Sequence, residues 1–182
     1  KSVADKHKRY IDYKYTLDEL ITQFDCVMPI STYIKSYYEE KAMKAVCIPI
    51  LADPDEYPIV PKVYDKYRII IPANGMMKDD LPSMLRAFTR LSERELSLIE
   101  VHLCGVKEEK IYAILRPEEY HYIEKYITVH KWMRYDELIN LYQQMHFLLL
   151  ARNKSQMTMA NFPSKVPETM GFGIVPIVSD VG

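Results

Sequence analysis

His146-Phe147-Leu148-Leu149-Leu150-Ala151, a polar loop, and then Phe162-Pro163-Ser164-Lys165-Val166-Pro167-Glu168-Thr169-Met170-Gly171-Phe172-Gly173-Ile174-Val175-Pro176-Ile177-Val178-Ser179 decide the fold. The first run, His146 to Ala151, is apolar at every position after its histidine, the pattern of a strand buried on both faces. Pro163 to Phe172 reads as a short helix closed by Gly173, and Ile174 to Ser179 as a second buried strand. Two such strands joined by a helical crossover lie parallel, and the crossover is right-handed.

Working outward, the same rhythm runs back through the chain. Arg68 to Ala73 reads as a strand, and Leu81 to Leu91 as a helix begun at the Asp79-Asp80-Leu81-Pro82 turn. Leu98 to Cys104 is the next strand, closed at Gly105. Glu108 to Lys125 is mostly helical, Ile127 to His130 a short strand and Tyr135 to Met145 a helix. This alternation predicts an α/β fold, a parallel sheet with helices on both faces.

Before it, residues 4 to 24 place Tyr10, Tyr13, Leu17, Leu20, Ile21 and Phe24 at helical spacing. Asp25 to Ile30 suits a strand. Ser31 or Thr32 is placed to cap a helix running to about Val46, and Val46 to Leu51 suits another strand. Ala52 to Asp65, with Pro54, Pro58 and Pro61, has no helical period and reads as a connector.

The chain has 182 residues, 48% hydrophobic and 27% charged, with a formal net charge of −1. That suits one globular domain and part of another, and it excludes intrinsic disorder. So balanced a charge gives no overall field for nucleic acid, so an anion site must be built locally. Cys26, Cys47 and Cys104 are odd in number and widely spaced, which argues against a disulfide framework or a zinc site and for buried free thiols. No apolar run approaches the roughly 20 residues that span a bilayer, and no signal peptide is evident. A first residue Lys1 and a last residue Gly182 directly after a strand lead to the expectation of a piece of a longer polypeptide.

In open parallel sheets, ligands sit beyond the carboxyl ends of the strands. The loops there are 74–80, 105–107, 131–134 and 152–162. From Arg152 to Pro167 the chain has Arg152, Lys154 and Lys165 and no acid, against 25 acids and 24 bases overall. This cationic stretch leads into the helix start at Pro163-Ser164-Lys165, whose first-turn amides lack internal partners and suit an anion. Lys78 is a candidate from the loop before it. Glu168 follows Ser164 by four residues rather than the three of a capping box, and its carboxylate is placed to accept from a vicinal diol. The five histidines (His7, His102, His121, His130, His146) show no ligand spacing and read as structural, which gives no metal centre. Trp132 sits in a strand-end loop where a base would lie against it.

Phe162 to Ser179 resembles the donor-binding signature of the retaining glycosyltransferases of GT-B fold, the glycosyl transferases group 1 family. Other segments fall in that family's order: Asp25 to Ser31, Val46 to Asp53, Lys78 with Leu85, Ala87 and Phe88, Val101 to Gly105, Trp132 to Tyr142, and His146 to Ala151. The resemblance implies residues 1–53 as the closing segment of a first lobe, 54–65 as a linker, and 66–182 as most of a Rossmann-like nucleotide-sugar-binding lobe. It implies transfer of a sugar from a nucleoside diphosphate sugar to a hydroxyl of a saccharide or lipid-linked acceptor, with retention and without metal or other cofactor. The catalytic residues would be Lys78 and Glu168, the latter on the ribose. Lys165 and the amides around Pro163 and Ser164 would hold the diphosphate. Asn74 and Gly75 would flank it, and Lys131, Trp132 and Met133 would face the base.

Two places depart from the family pattern. Ala73-Asn74 stands where many members have Gly-Arg, and Ala160 where many carry a second Glu. These departures keep alternatives open: an inactive lobe serving as a binding or scaffold partner, or a nucleotide-sugar epimerase. The resemblance further implies a cytoplasmic enzyme of surface-polysaccharide or glycolipid synthesis that needs an N-terminal lobe for its acceptor. Peripheral membrane contact through Lys6, Lys8 and Arg9 stays open, opposed by Asp5 and Asp12.

Overall fold

The computed structural model describes residues 3–53, 55, 59–72 and 78–181. They divide into two compact units, one made of the described residues up to 49 with 159–162, the other of those from 50 to 158 and from 163 to 181.

In the first unit, helix α1 (Val3–Asp18) runs into a 3-10 turn (Leu20–Gln23), and α2 spans Thr32–Glu39. The expected apolar face of α1 forms on a helix but is not covered: Tyr10 and Tyr13 are 64% and 63% exposed. Asp18, at its end, accepts from Tyr37 Oη at 3.0 Å and from the Lys41 ammonium, which with Tyr37 holds the carboxyl below its ordinary range. Ser31 caps α2, its Oγ accepting from Ile34 N at 3.3 Å.

Helix α2 stops at Glu39 rather than near Val46. Ala42 has φ 59°, and around it Ala42 N donates to Glu39 O (2.9 Å) and Met43 N to Tyr38 O (3.0 Å). That is the Schellman pattern with alanine at the left-handed position. The chain beyond it pairs in parallel with residues 27–29 at a single bridge, Val27 to Ala45, so the two expected strands do not form. Val27 N donates to Lys44 O, Val46 N to Val27 O and Ile48 N to Pro29 O. Pro29 has no N–H with which to continue, and the ladder ends there.

The second unit holds five parallel strands, β1 (Tyr67–Ile71), β2 (Ile99–Cys104), β3 (Ile127–His130), β4 (Phe147–Leu150) and β5 (Val175–Val178), in the order β3-β2-β1-β4-β5. Six helices connect or flank them: α3 (Leu81–Phe88), α4 (Glu93–Leu96), α5 (Glu108–Ile114), α6 (Pro117–Ile123), α7 (Tyr135–Tyr142) and α9 (Lys165–Met170). A short α8 (Gln156–Met159) precedes α9. Adjacent strand residues point to opposite faces and build two cores. Ile71, Val101 and Leu103 pack with Leu81, Leu85, Ile111 and Ile123 on one side. Ile70, Leu148 and Leu150 pack with Leu141, Tyr142, Phe172 and Ile174 on the other. At roughly 1.5–3 kcal/mol per buried aliphatic side chain, both layers are needed to hold the sheet.

The strands lie within two residues of expectation, but two helical readings need correction. Glu108 to Lys125 is two helices and a 3-10 turn (Glu124–Tyr126), because Pro117 cannot extend α5 and instead opens α6. Helix α4 was not expected, although Ser92 and Glu95 form a reciprocal capping box: Ser92 N donates to Glu95 Oε2 at 2.8 Å and Glu95 N to Ser92 Oγ at 3.3 Å. The described residues of Ala52 to Asp65 form no helix or strand. Lys62 Nζ donates to the carbonyls of Met145 and, at 3.1 Å, Gly173. Of the thiols, Cys104 is buried as expected and pushed up to about 12 by burial, whereas Cys26 and Cys47 are half-buried.

Candidate functional site at the strand ends

Strand β1 has β2 on one side and β4 on the other. The chain therefore leaves β1 and β4 in opposite directions and opens a crevice at their carboxyl ends. The loop after β4 crosses to the loop after β1 and is sewn to it. Asp80 N donates to Ala151 O at 2.8 Å. Asp80 caps α3, with Oδ1 accepting from Ser83 N (3.2 Å) and Oδ2 from Asn153 Nδ2 (3.1 Å). Hydrogen bonds, chiefly from Ser83, hold its carboxyl below the ordinary range. Arg152 Nε meets Asp79 Oδ1 at 2.9 Å, with side chains only 9% and 10% exposed, and Arg152 N donates to Ser179 Oγ at 2.8 Å.

Lys165, on the first turn of α9, reaches back across the crevice, its ammonium donating to Pro72 O at 2.7 Å. Burial pulls this lysine below its ordinary range, opposed by the charges of Asp79 and Glu168. Among the described residues the Pro72 carbonyl is the one acceptor bonded to this ammonium, which has three N–H bonds to give. Ser164 has helical dihedrals and its hydroxyl makes no cap bond, so α9 begins without a side-chain cap. Glu168 and Ser164 line one cavity of about 200 Å³ with Asp53, Tyr135 and Gly171. Pro163, just before, accepts Val166 N at 2.9 Å.

The remaining predicted residues are distributed differently. Lys78 is exposed in the turn leading to α3, beside Asp79 and Asp80. Asn74 and Gly75 lie outside the described residues. Lys131 and Trp132 line a second cleft, of about 620 Å³, at the ends of β2 and β3, with Gly105, Lys107, Glu109 and His130. The Trp132 indole is 84% exposed there. Met133 packs instead against the core beneath α7. Among the described residues, no three His, Cys, Asp or Glu side chains are gathered as a metal ion would need, and no helix is long and apolar enough to cross a membrane.

Sequence reasoning missed two groups. One is the Arg152–Asp79 pair; its residues were noted separately, but nothing in their spacing couples them. The other is His102 and His130, whose rings meet because β2 and β3 pair with Cys104 opposite His130.

No protein-family model and no curated protein matches the sequence. Solved structures share its fold. The lipopolysaccharide outer core galactosyltransferase WaaB in its apo form superposes with a TM-score of 0.66 at 19% identity, over 88% of this chain and 44% of that one. The GtfA/B complex gives 0.66 at 18%, over 96% and 33%. Sucrose-phosphate synthase from Thermosynechococcus elongatus gives 0.60 at 16%, over 87% and 41%. The chain spans a third to under a half of the length of these proteins. The five-stranded parallel sheet is that of a Rossmann-like lobe of GT-B architecture.

Proposed function

We propose that the chain takes part in moving a sugar from a nucleoside diphosphate sugar to an acceptor hydroxyl with retention, and that the crevice between β1 and β4 seats the donor. The acceptor is a saccharide or a lipid-linked one, met by a lobe that this chain does not include. One observation carries the reading: Lys165 bridges from α9 to the end of β1, while Ser164 and Glu168 of the same turn line a single cavity. Breaking the bond between sugar and diphosphate puts negative charge on the leaving oxygen. Lys78, the second donor direction of Lys165 and the amides around Ser164 stabilise that charge with little reorganisation. Glu168 accepts from the ribose hydroxyls. Two of the structural neighbours, one a galactosyltransferase and the other a sucrose-phosphate synthase by name, favour this chemistry for the fold.

Titration calorimetry with uridine, guanosine and adenosine diphosphates tests it. Glu168→Ala weakens binding by about 1.5–3 kcal/mol, the range for hydrogen bonds to a charged group. Lys78→Ala flattens the salt dependence and narrows the preference for diphosphate over nucleoside. Binding untouched by Glu168→Ala removes the assigned ribose contact.

A further inference from the structure

The imidazoles of His102 on β2 and His130 at the end of β3 meet edge to edge. His102 Nδ1 and His130 Nε2 are 2.8 Å apart, with ring centres at 5.1 Å and planes within 17° of parallel. That spacing of centres is the nitrogen separation plus one ring radius on each side. Both nitrogens therefore lie near the line of centres, as in an in-plane N–H···N bond rather than a stack. Behind His102, its Nε2 lies 3.4 Å from Glu100 Oε1, and Glu100 Oε2 takes Arg68 Nε at 3.3 Å. Arg68 is held in turn by Asp65 at 2.8 Å. His102 is 7% exposed and its Nε2 is buried and makes no hydrogen bond, with the Glu100 carboxylate as the charged group beside it.

The charge beside Nε2 acts on the protons electrostatically: an ionised carboxylate favours a proton on Nε2 of His102, which then accepts at Nδ1. His130 then donates from Nε2, and its Nδ1 is left as an acceptor. Burial favours the neutral rings. His102 is held at about 4, with Glu100 pulling upward and His130 and Arg68 pushing down, and His130 is also below its ordinary range, chiefly by burial against the pull of Glu100. His130 lines the cleft that holds Lys107, Lys131 and the exposed face of Trp132.

We propose that His130 is a specificity contact of this cleft, its Nδ1 held as an acceptor by the Glu100–His102 relay to take a hydrogen bond from the ring N–H of a planar heterocycle lying against Trp132. A carbonyl next to such an N–H, present on both sides in uracil and on one side in guanine, suits the ammonium group of Lys107 or Lys131. The proposal rests on the nucleotide-sugar reading and adds to it: the donor base is one with a ring N–H, as in uracil or guanine. Glu100 and His102 are positioning residues that act through His130.

The test is calorimetric titration of the protein with uridine and guanosine diphosphates and with their N3-methyluridine and N1-methylguanosine counterparts. The wild type loses at least tenfold in affinity on methylation of the base it prefers. His130→Phe loses that discrimination, and Glu100→Gln reduces it. Long-range 1H–15N correlation spectra of the wild type show both rings protonated on Nε2, a readout that packing alone does not set. Methylated and parent nucleotides binding within twofold in the wild type, or a proton on His130 Nδ1, overturn the proposal without needing any variant to fold. If Glu168→Ala has no effect while methylation still discriminates, the ribose assignment falls and this one stands. The reverse pattern removes this one alone, and failure of every nucleotide to bind removes both.

Discussion

Replacing Asp79 by alanine leaves the Arg152 guanidinium, nine-tenths buried, without its carboxylate. Breaking a buried ion pair from one side costs about 3–5 kcal/mol, because the remaining charge stays desolvated. At the lower end of that range the loss is about 3 kcal/mol. Lys165 works the other way: Arg152 already presses its pKa down while Asp79 supports it, so removing the carboxylate sets two cations against each other. With a urea slope of about 2 kcal/mol/M, a loss of that size lowers the unfolding midpoint by roughly 1.5 M. The double variant Asp79→Leu with Arg152→Met removes both charges and keeps apolar volume, and it recovers to within about 1 kcal/mol of wild type. Urea unfolding at pH 7, followed by circular dichroism, measures all three proteins. A single-variant loss below 1 kcal/mol, or a double variant as unstable as the single, refutes the claim that this pair is the buried joint between the two loops.

Two further outcomes follow from the backbone and the histidines. Ala42 sits at φ 59°, where a side chain costs about 1–2 kcal/mol that glycine avoids; Ala42→Gly stabilises the first unit by about 0.5–1 kcal/mol after glycine's larger unfolded-state entropy, seen as slower hydrogen exchange at Met43. His102 and His130 are both below their ordinary range when folded, so the unfolded chain takes up protons first. Stability is complete above about pH 6.5 and falls as the pH is lowered from there toward 4, by on the order of 2 kcal/mol; His102→Phe flattens that slope between pH 6.5 and 4.5, and an unchanged slope contradicts the assignment.

Much of the sheet was legible because strands covered on both faces must be apolar at every position. Ile69-Ile70-Ile71 and Leu148-Leu149-Leu150 supply alternate side chains to opposite cores, so no helical period competes with the reading. The readings failed where one residue's backbone chemistry overruled a pattern: Pro117 splits a helix, Ala42 ends one in a left-handed turn, and Pro29 halts a ladder. For the crevice, the rule for parallel sheets pointed to all four loops at the strands' carboxyl ends and the acid-free run from Arg152 to Pro167 singled out the last, whereas the reversal of strand order between β1 and β4 was visible only in the structure. The particular partners were not legible. Asp79 finds Arg152 across 73 residues, and His102 finds His130 through inter-strand register; neither separation leaves a trace in local spacing.

Lys62 has a consequence for the two crossover helices on one face of the sheet. Its ammonium holds the carbonyls of Met145 and Gly173, each three residues beyond the last residue of a helix, α7 and α9. Helix ends of this polarity carry partial negative charge, and two of them brought side by side repel. One cation shared between them turns that repulsion into a joint, letting a single lysine from outside the sheet bring both helices to a close at the same point.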